Sequence, residues 1–426
     1  MAEARLVCLD LDTFFVSVER RFRPELHGMP VIVGGGPGKR GVVTSCSYEV
    51  RPQGVRSGMP IAKAIKLAPD AVVVPTRHGV YGPIAKQVRE ILERFTPAVQ
   101  TASIDEFFLD FRGCERLWHR PGDIDADSTI LRVVREMRQT IQRELSLPAS
   151  AGIGSSKPVA KIASGRAKPA GVRMVRVGEE LAFLSPLPVR AYPGIGPVAA
   201  ERLQTHGIDR LGQLLALPEG PLRARFGKLA ASIGRQALPI QSPERSAARQ
   251  LSRDRPKFRE HDDPSQGTVG SISNERTFAS DLHDRRAVLD RLRKLVERVC
   301  WRARQRGVEA RTVTLKVRTS DFKTLQRAIS GAPTTDERYV FRRIHQLLIR
   351  AWDGRRGVRL VGVALSNFVD HKAQLELPLS EEDSPPRVND AVDAVRERFG
   401  YESIGRGARM PDRTRRQAKR LGAQKH

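Results

Sequence analysis

The stretch "QTASIDEFFLDF", Gln100 to Phe111, sets two adjacent acids, Asp105 and Glu106, inside a run that otherwise reads as buried strand. Ile104, Phe107, Phe108, Leu109 and Phe111 supply apolar and aromatic bulk, so the run belongs in a sheet covered by other elements. Two carboxylates about 4 Å apart repel by roughly 4 kcal/mol at an effective dielectric of about 20, so the pair needs compensation or an exposed turn. Two readings follow. A bound divalent cation would compensate the pair, or the run is a hairpin whose tip carries two solvated acids.

The flanking segments decide the fold. "RLVCLDLD" (Arg5 to Asp12) is a short apolar strand, and "ASAGIG" (Ala149 to Gly154) reads as another. Between them, Ile84, Val88, Ile91, Leu92 and Phe95 follow helical spacing, as do Ile130, Val134, Met137, Ile141 and Leu145. The order strand, helix, hairpin, helix, strand is that of a split βαβ, ferredoxin-like sheet with helices on one face, a two-layer α+β core. "MPVIVGG" and "GVVTSCSY" suggest a further strand pair joined through "GGGPGKRG".

At 426 residues the chain should form about three domains, at roughly 100 to 200 residues each. Lys and Arg number 74 against 48 Asp and Glu, a net +26, which points to a polyanion partner: nucleic acid first, an anionic membrane second. No run approaches about 18 consecutive apolar residues, and "MAEARLVCLDLD" lacks the regions of a signal peptide, so a cytoplasmic protein is expected. Cys8, Cys46, Cys114 and Cys300 lie far apart, without zinc-ligand spacing, and read as reduced thiols, mostly buried.

Further along, "YPGIGPVAAERLQTHGI" (Tyr192 to Ile208) is a Gly-x-Gly turn between helical segments, and residues 170 to 235 read as a separate helical module. Leu238 to Thr268 is rich in Pro, Arg, Gln, Ser and Asp and reads as a linker. Val288, Leu292, Leu295 and Val299 mark a long Arg-studded helix. In "TVTLKVRT", Val313, Leu315 and Val317 alternate with Thr314, Lys316 and Arg318, a strand with one apolar and one basic face. This second α+β domain ends near Val369. Beyond it, Val388, Val392, Val395 and Phe399 outline one amphipathic helix, and residues 405 to 426 carry eight Lys or Arg and one Asp.

Asp10 and Asp12 lie in "CLDLDTFF", where the first strand gives way to a turn. In a split βαβ sheet that strand neighbours the central hairpin, so Asp10, Asp105 and Glu106 converge. Mg²⁺ takes few carboxylates and fills its remaining positions with water and phosphate oxygens, so this trio suits two ions and a nucleoside triphosphate. For Asp12, a helix N-cap ahead of "TFFVSVE" stands beside a ligand role. "GIGSSK" lacks the G-x-x-x-x-G-K-[ST] pattern, which excludes a Walker-type ATPase.

"CLDLDTFFVSVE", "TSCSYEVRPQGVRSGMP", "SIDEFFLD", "GIGSSKPVAKIASGRAKPAG" and "YPGIGPVAAERL" occur in an order and spacing that resemble the Y-family, or lesion-bypass, DNA polymerases of the bacterial DNA polymerase IV type. The match spans roughly residues 5 to 370. It implies a palm (1–12 and 79–168), small α/β fingers (13–78), a helical thumb with a helix-hairpin-helix (169–237), a linker (238–268), an α+β little finger (269–370) and a tail (371–426). The implied reaction is template-directed addition of deoxynucleotides to a primer 3′ end, at low fidelity, in damage tolerance. Its cofactors would be two Mg²⁺ ions, with Mn²⁺ able to substitute. The implied ligands are Asp10, Asp105, Glu106 and the backbone carbonyl of Leu11.

The same resemblance assigns Ser45, Tyr48, Arg51 and Lys161 to the incoming triphosphate, residue types whose hydroxyls and cations suit phosphate oxygens. Phe14 and Phe15 fall at nucleotide-binding positions, Phe15 as a steric gate against ribose, although adjacent residues face different ways and Phe14 suits the core. Gly194 and Gly196 would let backbone N–H groups approach a DNA phosphate, and Lys316 and Arg318 would track the duplex. In "AQLELPL", Gln374, Leu375, Leu377 and Leu379 resemble the peptide by which such polymerases dock on the bacterial sliding clamp. A loop wrapping the little finger is the other reading. A monomer with no membrane attachment is implied. The chain departs from the pattern at Gly165, where an acid often stands, and in its long linker. A two-metal nuclease would use the same acids but has no use for a sugar gate, and an inactive scaffold of this fold would be expected to lose them.

Overall fold

The computed structural model describes residues 4–36, 40–218, 220–227, 233, 270–370 and 386–404. It divides into two compact units, Met1–Thr268 and Val269–His426. The first begins with β1 (Leu6–Leu11), α1 (Phe14–Phe22), β2 (Val31–Gly34), β3 (Val43–Cys46), α2 (Ile61–Leu67) and β4 (Val72–Pro75). Then come α3 (Tyr81–Leu92), β5 (Val99–Thr101), β6 (Glu106–Asp110), α4 (Glu115–Trp118), α5 (Ala126–Leu145), β7 (Ala149–Gly154), α6 (Lys157–Ala167) and β8 (Val172–Met174). Small helices α7 (Glu180–Leu184), α8 (Pro197–Gln204) and α9 (Leu211–Leu215) follow.

The expected split βαβ sheet is present, in the order β5-β6-β1-β7-β8. Pairing across β1 is antiparallel on both sides, with Leu9 opposite Phe107 and Ala151, and Cys8 opposite Phe108 and Gly152. Alternation therefore sorts the sheet into two faces. Val7, Leu9, Leu11, Phe107, Leu109, Ala151 and Ile153 pack against Ile84, Val88, Ile91, Ile130, Met137 and Ile141 of α3 and α5. Each such side chain, fully buried, contributes about 1.5–3 kcal/mol of transfer free energy.

The other face carries α6, which corrects the expectation of helices on one side only. Cys8 and Phe108 meet Ala160 there. A Cβ added at Gly152 would stand 2.1 Å from the Ala160 carbonyl oxygen and from the Ser164 amide nitrogen. The helix thus lies directly on strand backbone, an approach that glycine alone permits. The opposite side of α6 joins Val159, Ile162 and Ala163 to Leu184, Tyr192, Ala200 and Leu203 of the helical module. That module starts later than its composition suggests, because Val172–Met174 form β8, parallel to β7.

A second sheet runs β3-β2-β4. Ile32 packs with Cys46, Val50 and Ile61, whereas Val31 and Val33 pack with Val16, Leu26 and Val74, so β2 is buried on both faces.

The second unit contains β9 (Ser271–Leu282), α10 (Arg285–Arg304), β10 (Val308–Thr319), β11 (Thr324–Thr334), α11 (Glu337–Ala351), β12 (Val358–Asp370) and α12 (Pro386–Phe399). Its antiparallel sheet has the order β11-β10-β12-β9. Val313, Leu315 and Val317 face Leu292, Val299, Val340, Ile344 and Leu348 of the two long helices, as the alternation of "TVTLKVRT" requires. The helix over 386–399 exists, but its expected apolar stripe is only partly covered: Val392 and Val395 are half-buried, whereas Val388 and Phe399 are 56% and 66% exposed. Arg396 is instead 2% exposed, within 4 Å of Glu297, Glu337 and Asp393. Arg304 donates to Asp393 and Glu337 at 2.6–2.9 Å. A buried guanidinium is tolerated only where carboxylates surround it, so this helix docks through charge.

Candidate active site

The ladder of the first sheet assembles the acids. Asp10 lies opposite Glu106 on one side and Ser150 on the other, so the three side chains share the α6 face. One residue further, the Leu11 N–H donates to the Asp105 carbonyl at 2.9 Å. Residues 102–105 form the hairpin tip, closed by the Ala102 and Ser103 N–H groups on the Glu106 carbonyl at 2.9 and 3.1 Å. Asp105 is half-buried there, and its carboxylate accepts from the Ser103 hydroxyl. Ile104 does not pack as its neighbours suggest. It is 41% exposed because it belongs to the turn and not to β6.

Two acids are already neutralised. Lys161 Nζ, on α6, donates to both oxygens of Glu106 at 2.8 and 2.5 Å. Lys168, just past the end of α6, donates to Asp10 Oδ1 and lies 3.9 Å from Asp12 Oδ1. Burial pushes the Asp10 carboxyl up; Lys168 opposes this, and the charges of Asp105 and Glu106 add to it. Burial works against the Lys161 ammonium, but its bond to Glu106 raises its pKa overall. The repulsive strain expected of the bare Asp105–Glu106 pair is therefore relieved at Glu106 by a lysine.

Asp12 is a buried hub, 1% exposed, and not the N-cap of α1. Thr13 occupies that position, in left-handed backbone at φ 44°, without a side-chain cap. The Asp12 carboxylate accepts from Tyr48 Oη at 3.1 Å, Ser150 Oγ at 2.8 Å and the Ala170 N–H at 2.7 Å. Four donors or charges, counting Lys168, offset the cost of burying it. Burial first, and then Asp12, push the Tyr48 phenol up, so it stays protonated as a donor. The Arg51 guanidinium lies 4.4 Å from the centre of the Tyr48 ring. Ser45 sits buried in β3.

Phe15 stacks on Tyr81, ring centres 4.0 Å apart and 14° from parallel. Tyr81 Oη donates to Glu19 Oε1 at 2.9 Å, and Arg77 Nε reaches the same oxygen at 2.9 Å. The ring beside the site is thus backed by a second, anchored ring. Phe14 is 3% exposed in the core with Leu11, Val18 and Tyr81, as its position next to Phe15 suggests.

Sequence reasoning does not single out Lys168 or Ser150, and for Asp12 it offers a cap or a ligand but not a buried hub. The signal for Lys168 was its place in "SGRAKPAG", seven residues after Lys161. For Asp12 no local signal separates a buried hub from a helix cap.

Among the described residues no three His, Cys, Asp or Glu side chains stand close enough to share an ion. The donor set nonetheless fits one: hard carboxylate oxygens at one sheet end, two of them holding ammonium groups where a cation is called for. Elsewhere in this unit Gly194, at φ 95°, turns the chain, and Gly196 caps α8 with no side chain in the way. In the second unit Lys316 pairs with Glu275 at 2.9 Å, and Arg318 Nε donates to Thr324 Oγ1 at 2.8 Å. Gln374, Leu375, Leu377 and Leu379 lie outside the described residues.

Three family models match the chain: the impB/mucB/samB family over residues 9–165, its C-terminal domain over 269–377 and the IMS family HHH motif over 177–208. The DNA polymerase IV of Dehalococcoides mccartyi strain CBDB1 is 36% identical over 416 residues, 97% of this chain and all of that protein. The chain belongs to the Y-family of DNA polymerases. Caulobacter vibrioides DNA polymerase IV is likewise 36% identical, over 95% of this chain and 94% of its own length. Among solved structures, the Y-family DNA polymerase chimera Dbh-Dpo4(243-245)-Dbh aligns with TM-score 0.70 and 26% identity, over 86% of this chain and 99% of the chimera. An insertion ternary complex of Dbh DNA polymerase aligns at 0.55 and 25% over the same shares. Membership makes the chain a DNA-directed DNA polymerase, and the family's architecture identifies the five-stranded sheet as palm, the three-stranded sheet as fingers, the α7–α9 module as thumb and the second unit as little finger. No helix among the described residues is long and apolar enough to cross a membrane.

Proposed function

We propose that the chain extends a primer 3′ end on a DNA template by two-metal phosphoryl transfer, at low fidelity and across damaged bases. The observation that carries this is the register placing Asp10 opposite Glu106, with Asp105 one step along the same ladder. Asp10, Asp105, Glu106 and the Leu11 carbonyl would hold two Mg²⁺ ions, with Mn²⁺ able to substitute. When bound, the ions supply a more acidic primer hydroxyl and charge neutralisation at the triphosphate. The chain's own residues position the substrates. Tyr48, Arg51 and Lys161 bind triphosphate oxygens, with Ser45 beside them. Lys168 joins the group, because its ammonium already sits among the same acids. Phe15, braced by Tyr81, excludes the ribose 2′-hydroxyl by clash.

Gly194 and Gly196 offer backbone N–H groups to a DNA phosphate, and Lys316 and Arg318 contact the duplex. The segment Gln374–Leu379 docks on a bacterial sliding clamp, which raises the local concentration of a monomeric, cytoplasmic enzyme at the primer. The domains follow the boundaries set out above, except that Val172–Met174 pair with the palm sheet. Primer extension with Mg²⁺ or Mn²⁺ tests the reading. Asp105→Ala or Glu106→Ala is expected to abolish template-dependent addition, and extension unimpaired by both changes would overturn the site.

A further inference from the structure

Three of the donors that the reading above sends to the triphosphate are engaged on acids. Lys161 covers both oxygens of Glu106, Lys168 holds Asp10, and Tyr48 donates to Asp12. A phenol carries one hydrogen, so Tyr48 cannot serve Asp12 and a phosphate oxygen together. Each Glu106 oxygen keeps a lone pair beside its bond to Lys161, but the ammonium's positive charge stands where Mg²⁺ would bind and repels it, so the two cations compete for this carboxylate. These donors and acids therefore compete with each other's intended partners.

We propose that Lys161 and Lys168 are surrogate cations, holding Glu106 and Asp10 until a triphosphate draws them away, so that divalent ion and nucleotide bind as one coupled exchange. This rests on the reading of Asp10, Asp105 and Glu106 as ion ligands. The physical argument lies in what each half-exchange leaves behind. Glu106 and Asp10, given an ion alone, leave two ammonium groups beside new positive charge. Lys161 and Lys168, given a triphosphate alone, leave carboxylates uncompensated in a partly buried site. Only the full exchange forms every new pair, and the coupling is reciprocal by linkage.

Mn²⁺ binding to the full chain without DNA, followed by the electron paramagnetic resonance of free Mn²⁺, tests this. The protein would be titrated with Mn²⁺ alone and with 2′-deoxyadenosine triphosphate present, correcting for the nucleotide complex in solution. Lys161→Met with Lys168→Met is expected to bind Mn²⁺ alone at least tenfold more tightly than the unaltered chain. The affinity gained on adding nucleotide should shrink by at least tenfold in that variant. Lys161→Arg with Lys168→Arg keeps both charges and should retain the weak binding of Mn²⁺ alone. Thermal melting followed by circular dichroism checks that each variant is folded. Equal or weaker Mn²⁺ affinity in the folded methionine variant would overturn the proposal. The ligand reading fails separately: Mn²⁺ binding with nucleotide that survives Asp105→Ala with Glu106→Ala would remove it whatever the lysine variants do.

Discussion

Gly152→Ala is the most revealing single methyl group to add to this protein. The new Cβ would meet the Ala160 carbonyl oxygen and the Ser164 amide nitrogen at 2.1 Å. Both are backbone atoms of α6, so no flexible side chain can give way. Relief to an ordinary contact of 3.4 Å needs about 1.3 Å of movement between helix and strand. Overpacking a core typically costs about 1–3 kcal/mol and more where backbone must shift, so about 3 kcal/mol is expected. In a unit of this size that lowers Tm by about 6–12 °C. The same movement carries Lys161 away from Glu106, 2.5–2.8 Å distant, and an error of about 1 Å in a reacting group costs roughly a hundredfold in rate. Gly165→Ala is the control on the same helix, with nothing within 4 Å of its added Cβ. It should stabilise α6 by about 0.5–1 kcal/mol and leave kcat/KM unchanged. Thermal melts and steady-state primer extension on both variants decide the matter. Wild-type melting and turnover in Gly152→Ala would refute the claim that α6 rests on bare strand.

Other perturbations probe the remaining parts. Phe15→Ala should admit ribonucleotides; a thousandfold discrimination corresponds to about 4 kcal/mol, and competitive incorporation of ribo- and deoxynucleotides measures how much is lost. Arg396→Ala leaves Glu297, Glu337 and Asp393 short of one buried cation and should cost about 3–5 kcal/mol in the stability of the docked α12, read by urea unfolding of the full chain. Primer-template affinity should fall steeply with salt, and Lys316→Ala and Arg318→Ala should each reduce the slope of log K against log salt by about 1, measured by fluorescence anisotropy.

What could be read from the chain follows the range of the forces involved. Val313, Leu315 and Val317 announced their strand because alternation is a local consequence of one buried face. Asp10 could be set beside Glu106 because topology fixes which strands are neighbours. The double coverage of the palm sheet was not legible, because α6 presents backbone at the small residues Ala160 and Ser164 to Gly152, and only Val159 to Gly154, with no broad apolar stripe towards the sheet. The apolar positions of α12 misled, since the surface receiving it is built of Arg304, Glu297 and Glu337, to which Arg396 and Asp393 are complementary. Lys168 meets Asp10 across 158 residues of chain, so its place seven residues after Lys161 marks it as a candidate without naming its partner.

The acids, the lysines and the glycines of the palm form one device. Glu106 and Asp10 sit at strand ends and would repel if left bare. Their counter-charges come from one continuous segment, Lys161 to Lys168, whose position is set by contact of α6 with β7 and not by charge attraction itself. That contact exists because Gly152 and Gly154 leave room for the helix. The "GIG" thus has a packing role: it brings α6 close enough for Lys161 and the following Lys168 to reach Glu106 two strands away and Asp10 on the adjacent strand. Electrostatic compensation here is a consequence of steric fit. A change that moves the helix should disturb the charges even where no charged residue has been touched.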